Sequence, residues 1–240
     1  MLATLATGVA AAGLTAGGYA YAAMWPTSQA FGRTVIAGPD PNEFALTFDD
    51  GPNEPYTMQL LDLLATHRIR ATFFMIGRFA RQRPDLVRAV RHAGHVVGNH
   101  TMSHPVLLFQ SPRRVGEELA GCNAALEDAL GEPVRYFRPP HGARRPDVLR
   151  AARELGLTPV MWNAMGFDWE PRATALAIEA HLRKGIERNR RHRAGSNLLL
   201  HDGGQAGIGQ DRSHTVSAVA SLVPAALAEG VRFVTIDAWG

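Results

Sequence analysis

From residue 44 to residue 236, short apolar runs alternate with amphipathic stretches without a break, and no other feature constrains the fold as strongly. The strand-like runs are FALTF (44–48), ATFFMIG (71–77), HVVGN (95–99), VRYFR (134–138), TPVMWN (158–163), NLLLH (197–201) and RFVTI (232–236). Helix-like segments lie between them near 56–67, 84–93, 112–130, 146–155, 172–192 and 214–229. Ser111-Pro112 opens one of these, and Gly94, Gly131, Gly156 and Gly230 follow others, as start and stop signals do. Such alternation joins parallel strands through right-handed crossovers. The expected class is therefore α/β, with seven strands in an open doubly wound sheet or a closed, barrel-like ring. No repeat or composition break interrupts the pattern, so 40–240 reads as one catalytic domain.

Residues 1–24 differ from the rest. They carry no charged side chain and are long enough to cross a bilayer, though rich in Ala, Gly and Thr. Ala20-Tyr21-Ala22 resembles a small-residue cleavage site, yet no basic stretch precedes it. The expectation is a membrane anchor or signal peptide, hence an extracytoplasmic or membrane-anchored chain of the cell envelope. The net charge of +3 comes almost wholly from arginine, with Lys184 the sole lysine. No basic stripe is interleaved with aromatics, so no nucleic-acid partner is expected. Cys122 is the only cysteine, which excludes an intrachain disulfide and any multi-cysteine metal site. It falls in helical register with Val115, Leu119, Leu126 and Leu130 and reads as a core thiol.

In parallel α/β folds, ligands and catalytic groups gather at the C-terminal ends of the strands. Here those ends carry Asp49 and Asp50, His100, Arg138 and His201. His100 and His104, in HTMSH, stand four apart, so one helical turn would put both imidazoles on one face. With Asp50 they would form a two-nitrogen, one-oxygen site with open positions, the pattern of a catalytic metal. One aspartate of the pair could then hold the cation while the other takes a proton from water. A pair that only caps the Gly51-Pro52 turn is the plainer alternative.

Taken in order, TFDDGP (47–52), HTMSH (100–104), RPPHG (138–142), FDW (167–169) and LLH (199–201) resemble the motifs of the polysaccharide deacetylase family. This family, carbohydrate esterase family 4, includes chitin, chitooligosaccharide and peptidoglycan N-acetylglucosamine deacetylases. ATFFMIG and GNH also match, so the likeness spans roughly 44–237. It implies a distorted seven-stranded (β/α) barrel. It also implies that Asp49 is the general base and that Asp50, His100 and His104 hold one divalent metal ion, zinc by preference, with cobalt, nickel or manganese acceptable. Arg138 would pair with Asp49, the metal and the His141 N–H would hold the oxyanion, His201 would protonate the leaving amine, and Leu199 would line the acetyl pocket.

Two positions depart from the family pattern. His141 stands where tyrosine is common, and Met165 stands where an aspartate four residues before Trp169 is expected. Asp168 is the candidate to support His201 instead. Trp169 reads as a wall or stacking platform for a sugar, and Trp162 as either that or core. The implied activity is metal-dependent removal of acetyl from an N-acetylated oligo- or polysaccharide, chitin-like or peptidoglycan. The rival readings are acetylxylan O-deacetylation, deformylation or deacetylation of a lipid-linked amino sugar, and a non-catalytic sugar-binding module.

Overall fold

Strand β1 (Glu43–Gly51) is buried along all but its first residue, because it stands between neighbours on both edges and is covered on both faces. Phe44, Leu46 and Phe48 point outward into the main core, while Ala45, Thr47 and Asp49 point inward. In this computed structural model, which describes residues 17–239, β1 is the hub of an entirely parallel sheet. The order runs β5-β4-β3-β2-β1-β7-β6. The strands are β2 (Thr72–Met75), β3 (Val96–Asn99), β4 (Tyr136–Phe137), β5 (Thr158–Pro159), β6 (Ala164–Met165) and β7 (Ser196–His201). The sheet curls as a seven-stranded (β/α) half-barrel whose edges, β5 and β6, are not paired with each other.

Helices cover its outer face: α2 (Tyr56–Thr66), α3 (Gly77–Gln82), α4 (Pro84–His92), α5 (Pro112–Leu130), α6 (Pro146–Glu154), α7 (Ala175–Arg191) and α8 (Ser213–Ala228). Leu60, Val87, Leu119, Cys122, Ile178 and Leu222 from these helices pack with Phe48, Phe73 and Leu200 of the strands. Truncating one of these phenylalanines to alanine costs about 3–5 kcal/mol. Cys122 is fully buried, and that burial pushes its thiol up to about 12.

Three elements differ from the sequence expectation. The apolar run 71–77 stops being strand at Met75, because Gly77 starts α3 where a Cβ would meet the Cys122 backbone at 2.8 Å. The run 158–163 pairs with β4 only at its start, since the chain then crosses to the far edge and pairs as Ala164–Met165 with β7. The run 232–236 contributes only β8 (Arg232–Phe233), which pairs with the first two residues of β1 off the main path. Thus β6 rather than β8 completes the seven-strand path.

Residues 17–24 form helix α1, and the chain up to Asp40 packs on the domain. Val35 bridges Val160, and Ile36 packs against Met161, Trp162 and Leu199, so this segment lies at the seam between β5 and β6. Most of the apolar segment 1–24 falls outside the described residues. Among those described, no helix is long and apolar enough to cross a membrane.

Candidate active site

Adjacent residues on a strand point to opposite faces, so Asp49 and Asp50 should diverge. They do not, because the register against β2 slips between Asp49 and Gly51 and Asp50 adopts a left-handed φ of 70°. Aspartate tolerates that region better than most residues. The slip turns both carboxylates into one pocket at the C-terminal end of the sheet. Gly51 is required by close approach: a Cβ there would lie 2.3 Å from Asp202 Oδ2.

Below Asp49 the barrel interior changes from apolar to polar. Ala45, Phe74, Val160 and Ile236 fill the bottom, and Arg138, with no exposed surface, lies above them. One guanidinium nitrogen donates to Thr47 Oγ1 and to Asp49 Oδ1, both at 2.8 Å, and the other donates to the Met161 carbonyl at 3.1 Å and Asn197 Oδ1 at 3.3 Å. The Phe74 ring lies 4.2 Å from the guanidinium carbon. A charge so buried is tolerable only with a counter-charge and hydrogen bonds, and Asp49 supplies the charge.

His100 and His104 are not on a helical turn. Residues 100–104 form a loop in which Thr101 and His104 have φ of 66° and 61°. The loop holds this shape because its polar groups are satisfied from the side. Asn99 Oδ1 accepts from the Thr101 N–H, and Thr101 Oγ1 accepts from the His104 N–H. The buried Glu118 of α5 accepts from both the N–H and the hydroxyl of Ser103. The imidazoles still meet, with ring centres 4.9 Å apart.

Hydrogen bonding on the far side of each ring decides what this pair can do. His100 Nδ1 is 2.8 Å from the Arg138 carbonyl, and His104 Nδ1 is 2.9 Å from Gln205 Oε1. Both acceptors call for a proton on Nδ1, which leaves the Nε2 lone pairs facing Asp50. Asp50 Oδ1 is 3.1 Å from His104 Nε2 and 3.4 Å from His100 Nε2, is buried, and accepts no hydrogen bond. The three ligand atoms lie within 4.8 Å of one another. Two imidazole nitrogens and one carboxylate oxygen converge on one point, and this donor set fits a divalent metal. Burial opposes charge at both residues, yet Asp50 is held well below the usual carboxylate range by the two histidines, and Asp50 raises His104 above its ordinary value.

Across the pocket, His201 ends β7, and Asp168 grips it twice. Asp168 Oδ1 is 2.7 Å from His201 Nδ1, and Oδ2 accepts from the His201 backbone N–H at 2.7 Å and from Thr215 Oγ1 at 2.8 Å. Burial disfavours a charged imidazole, but Asp168, aided by Asp50 and Asp49, pushes His201 up to about 9. Met165 instead packs against the cluster of Met161, Trp162 and Leu199. Trp169 is 43% exposed and stands edge-on to His201 at 5.1 Å, so it combines a free face with a fixed position. Trp162 is buried with Leu199, which shares the inward face of β7 with Asn197 and His201. His141, at φ 58°, turns its ring edge toward His104 at 4.7 Å, and among the described residues no backbone acceptor takes its N–H.

Sequence reasoning missed Gln205, Glu118, Asn197 and Asp202. The signal for Asp202 was its place directly after LLH; burial, helped by Asp50 and Asp49, pushes its carboxyl up to about 7. Nothing in a single sequence marks Glu118, since it lies in a helix next to another glutamate.

The family model described as polysaccharide deacetylase matches residues 37–160, slightly more than half of the 240 residues. The chain belongs to the polysaccharide deacetylase family. A chitooligosaccharide deacetylase from Sinorhizobium fredii is 39% identical over 186 residues, 75% of this chain and 83% of that protein. A peptidoglycan-N-acetylglucosamine deacetylase from Bacillus cereus is 38% identical over 193 residues, 80% of this chain and 85% of that one. Among solved structures, a family 4 acetyl xylan esterase from Clostridium thermocellum in complex with a cobalt ion superposes with a TM-score of 0.71 at 28% identity, covering 82% of this chain and 89% of the other. As a member of the polysaccharide deacetylases with such relatives, the chain is a carbohydrate deacetylase, a hydrolase.

Proposed function

We propose that the chain removes acetyl from N-acetylglucosamine units of a chitin-like or peptidoglycan glycan, with zinc as its metal. The observation that carries this reading is the inequality of two adjacent carboxylates. Asp50 meets two imidazole lone pairs, whereas Asp49 meets a buried guanidinium. Two imidazole nitrogens and one carboxylate suit zinc, with cobalt, nickel and manganese as acceptable substitutes.

A divalent cation on Asp50, His100 and His104 supplies Lewis acidity, lowering the pKa of water from ~15.7 towards ~7 and polarising a carbonyl. Asp49, with Oδ1 engaged by Arg138, keeps its other oxygen on the pocket side, 3.7 Å from His100 Nε2, to accept a proton from the attacking water. The His141 N–H donates to the carbonyl oxygen as that oxygen gains charge. His201, kept protonated by Asp168, passes its proton to the amide nitrogen as the C–N bond breaks and acetate leaves. Leu199 borders the acetyl methyl, and Trp169 offers its exposed face to the sugar ring.

Acetate release from chitooligosaccharides, peptidoglycan and acetylxylan, each with zinc, cobalt, nickel and manganese, tests substrate and metal together. Release from an N-acetylated glycan is expected to dominate; release from acetylxylan alone would replace this reading with O-deacetylation. The same reading takes the chain to act at the cell envelope, supported by its uncharged first 24 residues. Fractionation of the producing cells tests that, since recovery wholly in the cytoplasm contradicts it.

A further inference from the structure

His100 and His104 each need a partner at Nδ1, but the partners are of different kinds. For His100 the acceptor is the Arg138 backbone carbonyl, fixed where β4 ends beside β3. For His104 the acceptor is a side chain, Gln205, on the loop that follows β7. That loop is anchored on both sides of Gln205. Arg212 donates to the Gly203 carbonyl at 2.6 Å. Asn53 accepts from the Gly209 N–H at 2.6 Å and donates to the Gln210 carbonyl at 2.9 Å. Arg78 donates to the carbonyl of Gln205 itself. The amide is thus presented to His104 from a fixed backbone, although the residue is largely exposed.

We infer that Gln205 is a positioning residue for the metal site, holding His104 with its proton on Nδ1 and its Nε2 lone pair towards Asp50, and so setting metal affinity. This rests on the metal reading of Asp50, His100 and His104. The physical reason is that His104 sits on a loop and Asp50 meets only its Nε2, so the partner at Nδ1 decides which nitrogen carries the proton and how the ring is turned. Removing the outer partner of a ligand histidine frees the ring to turn and to exchange tautomers, at a cost in affinity of about 10–100-fold. A carboxylate in place of the amide accepts the same hydrogen bond and makes the imidazole a better donor to a cation.

The test is the zinc dissociation constant of chelator-stripped full-length protein, wild type against Gln205→Ala and Gln205→Glu, with the melting temperature of each metal-free form. Gln205→Ala is expected to weaken zinc about 10–100-fold while the metal-free melting temperature stays put. Gln205→Glu is expected to bind zinc at least as tightly as wild type. Equal weakening in both variants would show that only the loop was disturbed and overturn the inference. So would an unchanged zinc constant in Gln205→Ala, including the case in which KM for chitooligosaccharide rises and Gln205 proves a substrate contact. Failure of the wild type to take up one equivalent of zinc would instead defeat the metal reading itself.

Discussion

On one wall of the pocket, Asp49, Asp50 and His100 emerge directly at strand ends, and the slip in register around Asp50 brings the two carboxylates together. On the other, His201 also ends a strand, but its charge depends on Asp168, delivered by a loop that turns through Phe167 at φ 56°. The first wall is built to gather negative charge and lone pairs around a cation. The second uses one carboxylate to keep a proton on an imidazole. The same residue types therefore do opposite work according to what lies behind them: a guanidinium behind Asp49, a histidine in front of Asp168.

The largest effect is expected on the first wall. Asp49→Asn should lower turnover about 10²–10⁴-fold, the range for loss of a general base, while zinc content by elemental analysis stays at one equivalent. Turnover near wild type would erase the distinction between the two aspartates. The same change leaves Arg138 buried without its counter-charge, which costs about 3–5 kcal/mol and should show as a lower denaturation midpoint.

Asp168→Asn addresses the second wall. In metal-free protein, NMR titration should find His201 near 9 in wild type and clearly lower in the variant. A histidine raised in the folded state contributes stability that is complete below its ordinary value of about 6.5 and is lost as pH rises through the folded value. Wild type should thus lose stability between pH ~6.5 and ~9, and Asp168→Asn should lose less. An unchanged His201 titration would break the pairing and leave its charge to Asp50 and Asp49. The smallest effect is expected at the rim, where Trp169→Ala should raise KM about 3–10-fold with kcat little changed, matching loss of ~1 kcal/mol of aromatic contact.

What was legible in the sequence follows the same division. Strand alternation gave the α/β class, and the residues at strand ends gave the pocket, because parallel sheets place their C-terminal ends on one rim. The strand identities at the far edge were not legible: Pro159 to Trp162 form one unbroken apolar run, so nothing marks where the chain leaves the sheet to cross the seam. The helical-turn reading of HTMSH failed because i, i+4 spacing says nothing of left-handed residues, and Thr101 and His104 both adopt that conformation. At the departure marked by Met165, the turn at Phe167 brings Asp168 onto His201 and leaves Met165 in an apolar cluster, a placement that spacing along the chain does not reveal. Gln205 and Glu118 were invisible because their contacts span 101 and 15 residues of chain.

The central claim is that Asp50, His100 and His104 hold a cation on which deacetylation depends. Protein stripped with a chelator and titrated with zinc, followed by acetate release from a chitooligosaccharide, tests it directly. Activity is predicted to vanish on stripping and to return in full at one equivalent of zinc; undiminished acetate release from the stripped protein would contradict the account.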